Sequence, residues 1–268
     1  MTQGERRTIG FDRPVQLEWL DALAYRLAAG ASAKEAREVI WNLLDGVVAG
    51  ETLQSARGKT LTVVSRIWLT VPPGVSPMRD AALLLIRHAS VEERQAIHWA
   101  LMSAAYTFFV DLASSIGKLI ALNGEISLSQ LTRRLVEVWG DRSTLRPAAQ
   151  RVVRSMIRWG VLREGERPGQ YLPPTKRIVV SAEVSELLLE GLLLAAGRGG
   201  MPLSQLLMHP AAFPFELRFD PTRLRKSARL RLHRQGDQAD YVEREETRPA
   251  SSARAIPKER PRAARRGG

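Results

Sequence analysis

Residues 123–172 read NGEISLSQLTRRLVEVWGDRSTLRPAAQRVVRSMIRWGVLREGERPGQYL, and the order of elements in this stretch decides the fold. Asn123-Gly124 is a turn, and Glu125-Ile126-Ser127 is short and extended. Leu128, Leu131, Leu135, Val136 and Val138 recur at helical spacing with polar residues between them. Trp139-Gly140-Asp141-Arg142 makes a tight turn, and Ser143 then caps a helix predicted over residues 144–159. Residues 161–163 and 170–172 read as extended, and the turn-rich residues 164–169 between them predict a hairpin. An apolar helix over residues 106–122 comes before the stretch. Helix, short strand, helix, turn, helix, hairpin is the order of a winged helix-turn-helix, here spanning roughly residues 108–181.

The helix over 144–159 has the two faces that a major-groove helix needs, one for its own domain and one for phosphates and base edges. Leu145, Ala148, Ala149, Val152, Val153 and Met156 fall on one side at 100° per residue. Arg146, Gln150, Arg154 and Arg158 recur every fourth residue on the other, with Arg151 beside them and Ile157 as the one misfit. Arg142, Ser143 and Thr144 stand at the N-terminus, where the helix dipole and free backbone N–H groups attract phosphate. Pro147 is tolerated because it lies in the first turn. The hairpin adds Arg163 and Arg167, and Lys176 and Arg177 follow. Between Arg142 and Arg163 stand four cations and no acid, which favours duplex DNA as partner over a merely solvated face. Phosphate contacts then dominate affinity, with Gln150 and Arg146 or Arg154 as base-readers.

On the N-terminal side, residues 13–71 read as a unit of three helices. Leu17, Leu20, Leu23, Ala24 and Leu27 form the first stripe, which Gly30 ends. Ser32 with Glu35 makes a capping box for the second helix, whose apolar face is Ala36, Val39, Ile40, Leu43 and Leu44. Ser55 caps the third. Its opening Ser55-Ala56-Arg57-Gly58-Lys59-Thr60 and its later Arg66 give either a second DNA contact or an ordinary capped helix in a three-helix core. A proline-rich breaker over 71–77 separates this unit from a second, over 78–219, with helices at 78–88 and 91–104, the latter capped by Ser90 and Glu93. A strand around Ile178-Val179-Val180, a helix over 183–196 and a short helix over 203–208 complete it. The tail, 221–268, carries 14 Lys and Arg against 6 Asp and Glu, so +8 of the chain's net +12 sits there. One helix through Leu224 and Leu232 fits its pattern, and from Gln235 onward the composition predicts disorder.

Composition closes several other routes. The chain has 268 residues, 44% hydrophobic, enough for a sizeable core, and no cysteine, which removes disulfides, thiolate zinc sites and a cysteine nucleophile. No signal peptide is read at the start, and the apolar stretch 97–122 is broken by Asp111 and Lys118, so a cytoplasmic protein without a membrane span is expected. Gly58-Lys59-Thr60 resembles the end of a phosphate-binding loop, but the required glycine five residues earlier is Leu53. His88, His98, His209 and His233 lack metal spacing, Glu92-Glu93 and Glu245-Glu246 read as solvated, and Ser114-Ser115 has no local base. Trp19, Trp41, Trp68, Trp99, Trp139 and Trp159 read as core anchors, not stacking platforms. No cofactor, no metal and no enzymatic activity are expected.

The layout resembles the BrxA family of BREX phage-defence systems. The resemblance rests on the helical stretch 36–68 with its Glu51-Thr52-Leu53-Gln54 loop and Ser55-Ala56-Arg57 start, on the middle segment 103–111 reading SAAYTFFVD, and on the helix-turn-helix and Leu-rich segment that follow. It covers most of residues 11–219, while the long basic tail departs from that family's compact pattern. The resemblance implies an all-helical, DNA-binding accessory protein without enzymatic activity, encoded beside a methyltransferase, an ATPase and a phosphatase-like protein, with other defence-system proteins as further partners. Two other functions fit the same pattern: a transcriptional regulator reading a defined operator, and an assembly subunit whose winged helix docks on protein.

Overall fold

The computed structural model describes residues 8–197, 199–235 and 239–245. It is mainly helical, with three small sheets. The helices are α1 (Leu17–Ala28), α2 (Ala33–Leu43), α3 (Ala56–Trp68), α4 (Ser76–Ile86), α5 (Val91–Ala105), α6 (Thr107–Asn123), α7 (Leu128–Trp139), α8 (Leu145–Arg158), α9 (Ala182–Ala196), α10 (Leu203–Leu207) and α11 (Pro221–Arg225). The strands are β1 (Ile126–Ser127), β2 (Arg163–Glu164), β3 (Gln170–Leu172), β4 (Ile178–Val179), β5 (Gly200–Pro202), β6 (Phe215–Glu216), β7 (Leu230–Gln235) and β8 (Ala239–Arg244).

Side-chain caps explain several of the helix starts. Ser32 with Glu35, Ser90 with Glu93 and Ser127 with Gln130 each form a complete capping box, so two orphan backbone donors are satisfied reciprocally at the start of α2, α5 and α7. Helix α8 differs from its sequence reading. Ser143 does not cap it: the helix begins at Leu145 and Thr144 is its N-cap, with no side-chain hydrogen bond. The reason is local. Leu145 N–H donates to Arg142 O at 3.0 Å, and Thr144 already has right-handed helical dihedrals, so no extended residue aims a hydroxyl back at the helix.

Residues from both sides of the proline-rich 71–77 segment join one hydrophobic core. Helix α1 packs on α4 and α5, α3 packs on α1 and α5, and α9 runs along α5. The α5–α9 contact is close because Gly191 has no side chain: a Cβ there would lie 2.5 Å from Ala100 O. Trp99 sits at the centre, with Phe109, Trp159, Phe213 and Phe215 presenting edges to it. Buried indoles find acceptors: Trp99 donates to Ala211 O and Trp159 to Val15 O, both at 3.0 Å. Trp41 alone among the tryptophans is half-buried.

The first sheet has the order β1-β3-β2, antiparallel, with Ile126 opposite Tyr171 and Arg163 opposite Leu172. The hairpin begins later than its sequence reading. Val161 and Leu162 are buried, and both backbone N–H groups turn back to Met156 O, which closes α8 before β2 starts. In the second sheet β4 and β6 pair in parallel.

The C-terminal segment departs most from expectation. Helix α11 stops at Arg225, and Leu232 lies in a strand. Strands β7 and β8 pair antiparallel, and β8 also pairs with the remote strand β5, Met201 lying opposite Val242. Leu224, Leu230 and Val242 are buried in the common core, so residues 239–245 are ordered where disorder was expected. Apolar residues alternating in two short runs give only a weak strand signal, and the partner strand β5 was not legible at all. Residues 246–268, the rest of the tail, lie outside the described residues.

No single helix among the described residues is long and apolar enough to cross a membrane. The apolar pair α5 and α6 bends by 119° around Tyr106 and lies largely in the core.

Candidate nucleic-acid interface

Helix α8 is built so that its inner side is fully occupied. Leu145, Ala148, Ala149, Val152, Val153, Ser155 and Met156 are buried, and Ile157 is half-buried against the core. An extended strap at residues 9–15 crosses that inner side. Val15 N–H donates to Ser155 Oγ at 3.0 Å, Trp159 Nε1 donates to Val15 O at 3.0 Å, and Phe11 is buried edge-on to Tyr106. Because Ser155 Oγ also donates to Arg151 O, this hydroxyl has both an acceptor and a donor role in a dry position. The rotation of α8 about its axis is therefore fixed from behind by a residue 140 or more positions away in the chain.

The outer side carries the cations. Arg146, Arg154 and Arg158 are exposed, and Gln150 is half-buried among them. Ser143 and Thr144 are exposed at the N-terminus, while Arg142 is half-buried and engaged within the protein. Among the described residues no carboxylate lies within 4.0 Å of Arg146, Arg154, Arg158, Arg163 or Arg167. Arg151 is different. It is half-buried and donates to Asp12 O at 3.2 Å, so it ties the strap to the helix and does not project with the others.

The hairpin stands beside this face. Burial raises the pKa of the Tyr171 phenol on β3, and Arg154 and Glu164 are both close enough to act on it, Arg154 pulling it down and Glu164 up. Arg163 Nε donates to Pro173 O at 3.0 Å, and Arg167 is exposed at the turn. Glu164 and Glu166 are exposed there too, so the hairpin is charge-balanced and the positive character concentrates on α8. Four-residue spacing puts Arg146, Gln150, Arg154 and Arg158 about 6 Å apart in one row. Such a row can meet a phosphate backbone, and the helix is narrow enough for a groove about 12 Å wide.

Helix α3 does not repeat this arrangement. Arg57 is 6% exposed. Its guanidinium donates twice to Trp41 O, at 3.0 and 2.5 Å, bonds Asp45 Oδ1 at 2.8 Å and lies 4.1 Å from the centroid of the Trp41 ring. Thr60 is buried and its hydroxyl donates to Ala56 O. Ser55 accepts from Gly58 N–H as the N-cap, and Arg66 lies over the Tyr106 ring. Gly58 touches the preceding loop so closely that a Cβ would lie 2.3 Å from Leu53 backbone atoms, which leaves no cradle for a phosphate. Of the five residues considered for a second contact, Arg57 and Thr60 are thus structural, Ser55 is a cap, and Lys59 and Arg66 alone are exposed.

The chain matches no family model, and no curated protein or solved structure is significantly similar to it.

Two further features bear on chemistry. Among the described residues no cluster of His, Asp and Glu has metal-binding geometry. His98 is buried with Asp21 Oδ1 2.9 Å from Nε2, an arrangement that in other settings activates a nucleophile. Here Nδ1 accepts from Trp68 Nε1 at 3.2 Å, and an indole only donates, so Nε2 carries the proton and donates to Asp21. Burial lowers the His98 pKa, and the occupied Nδ1 keeps the ring neutral. Burial alone would raise the Asp21 pKa, but the His98 hydrogen bond and the neighbouring Arg94 outweigh it and the carboxyl is lowered. This buried polar group joins α1, α3 and α5. The strap residues Asp12 and Val15, and Ser155 behind α8, are what sequence reading missed. Only a contact across about half the chain gives them their role.

Proposed function

We propose that this protein binds duplex DNA without enzymatic activity, using α6, β1, α7, α8 and the β2–β3 hairpin as a winged helix-turn-helix with α8 as the recognition helix. The carrying observation is the row Arg146, Arg154 and Arg158, exposed and without a carboxylate partner, on a helix whose opposite side is buried and pinned by the strap. Element order and the β1-β3-β2 sheet support the winged-helix reading. Phosphate contacts supply most of the affinity, and Gln150 with Arg146 or Arg154 supplies what base preference there is. Arg163 and Arg167 reach the flanking backbone. An accessory role in phage defence, beside other proteins of a BREX-like system, follows from the resemblance in layout.

The test is a fluorescence-anisotropy titration of the whole chain with duplex DNA at several salt concentrations. Replacing Arg146, Arg154 and Arg158 together by alanine is expected to flatten the plot of log affinity against log salt by about 2–3 units of slope and to weaken binding on the order of a hundredfold. An unchanged slope in a folded triple variant refutes the recognition-helix assignment. Equal affinity for the upstream region and for random duplex separates an accessory factor from an operator-reading regulator.

A further inference from the structure

Residues 218–234 hold seven Arg and Lys and one acid, Asp220, the densest basic run among the described residues. The fold divides six of these cations into two groups, and the seventh, Arg231, pairs with Glu245. The inner group faces an acidic stripe on α9. Arg229 Nε is 2.7 Å from Glu190 Oε2, and Arg223 lies 2.9 Å from Glu183 and 3.4 Å from Glu186. Ser227 donates to Glu186 and accepts from the N–H groups of Arg229 and Leu230. With Leu224, Leu230 and Val242 buried, these contacts hold α11 and the β7–β8 pair to the body of the protein. Asp220 is used as the cap of α11, accepting from Thr222 and Arg223 N–H.

The outer group has no such role. Arg218, Arg225 and Lys226 are exposed, and among the described residues none has a carboxylate within 4.0 Å. Arg234 is 80% exposed and its nearest acid oxygen, on Asp240, is 4.0 Å away. Backbone pairing links this segment to the region just after the hairpin of the first sheet. Strand β4 pairs with β6, Arg177 donates to Phe215 O, and two residues past β6 the chain reaches Arg218. Lys176 and Arg177, both exposed, therefore stand next to the strand that leads into the outer group.

The geometry points to a second polyanion-binding surface on the C-terminal unit, formed by Arg218, Arg225, Lys226 and Arg234, which takes the sugar-phosphate backbone of duplex DNA. The cations are spread along the chain from residue 218 to residue 234. That matches a ligand with repeating charge better than a single small anion. The buried Arg229–Glu190 contact supplies what a disordered basic tail lacks, a fixed placement of the outer cations relative to the core. The inference rests on the α8 reading only for the identity of the ligand; the residues are different.

The experiment uses the full chain, a random-sequence duplex of about 40 base pairs, and three variants: Arg218→Ala with Arg225→Ala and Lys226→Ala, the α8 triple, and the two combined. The expected result is a loss of about 2–3 units of salt slope in the C-terminal variant, with affinity falling roughly tenfold, and slope losses that add in the combined variant. Unchanged thermal melting shows that the fold is intact, because among the described residues none of the three side chains has a hydrogen-bond or ion-pair partner. Arg218→Lys with Arg225→Lys is expected to keep the slope, since a backbone contact needs charge and not a guanidinium fork. If the C-terminal variant keeps the wild-type slope while the α8 triple loses it, this surface is refuted and the recognition helix stands. If the reverse holds, the recognition helix is refuted and this surface stands. Loss of polyglutamate binding with DNA binding unchanged would reassign the surface to an acidic polypeptide and overturn the proposal.

Discussion

Helices α3 and α8 look alike on paper. Each follows a helix and a loop, each opens with a small polar residue near an arginine, and each carries several cations and no acid. In the folded protein they are opposites. Nine of the thirteen residues of α3 are buried, Arg57 and Thr60 among them, against seven of fourteen in α8, where no arginine is buried. The difference traces to what lies beside the first turn. Arg57 starts its helix next to the C-terminal end of α2, where Trp41 O has no partner within the helix. An arginine placed there satisfies an orphan carbonyl and complements the negative end of the helix dipole, so it turns inward. Arg146, Arg154 and Arg158 of α8 meet no carboxylate among the described residues and stay in solvent, whereas Arg151 turns onto Asp12 O. A cation in sequence therefore says little about direction until the acceptors around it are known.

The largest expected effect that sharpens this contrast is on Arg57. Arg57→Ala leaves Trp41 O unsatisfied and removes the guanidinium from the indole face, for a loss of roughly 2–3 kcal/mol in chemical denaturation. Asp45 adds little because it is largely solvent-exposed. DNA affinity of the folded variant should be unchanged, and a parallel loss of affinity would mean that α3 also faces the ligand. Next is the pin behind α8. Ser155→Ala strands the Val15 N–H in a dry site and should cost about 1–2 kcal/mol, while the salt slope of binding stays at the wild-type value.

A pH titration probes the far end of α3, where Trp68 meets His98. The folded-state pKa of His98 lies below its unfolded value near 6.5, so its contribution to stability is complete above that value and is lost as pH falls through the lower folded-state pKa. Denaturation midpoints that drop between neutral and mildly acidic pH in the wild type, and drop less in His98→Gln, are the expected outcome, with burial of His209 supplying the remainder. A midpoint insensitive to pH over that window sinks it. The smallest effect is expected at Lys59, exposed at the start of α3. Lys59→Ala should move stability by less than about 0.5 kcal/mol and affinity by less than about twofold. A tenfold loss there would make the two helices functional equals.

Much of this is legible in the sequence. The stripe of α8, the capping serines of α2 and α5 and the order of elements from α6 to β3 follow from local spacing, which acts over a few residues and survives in the sequence. The missed features are those whose partners are remote: the strap behind α8, the inward turn of Arg151 onto Asp12 O, and the pairing of β8 with β5. Composition predicts a helix through Leu224 and Leu232 and disorder from Gln235 onward. Residues 239–245 are nevertheless ordered, because Leu224, Leu230 and Val242 reach a core to which α9 also contributes and β8 pairs with β5.

By itself the sequence determined the helical periodicity, the breaks between elements and which residues on α8 are apolar and which basic, because each is set by neighbours within one or two turns. Only the tertiary structure decided which cations face out. Whether a guanidinium remains in water depends on the carbonyls and carboxylates that folding brings within hydrogen-bond reach, and for Arg57, Arg151 and Arg229 those partners come from other segments of the chain.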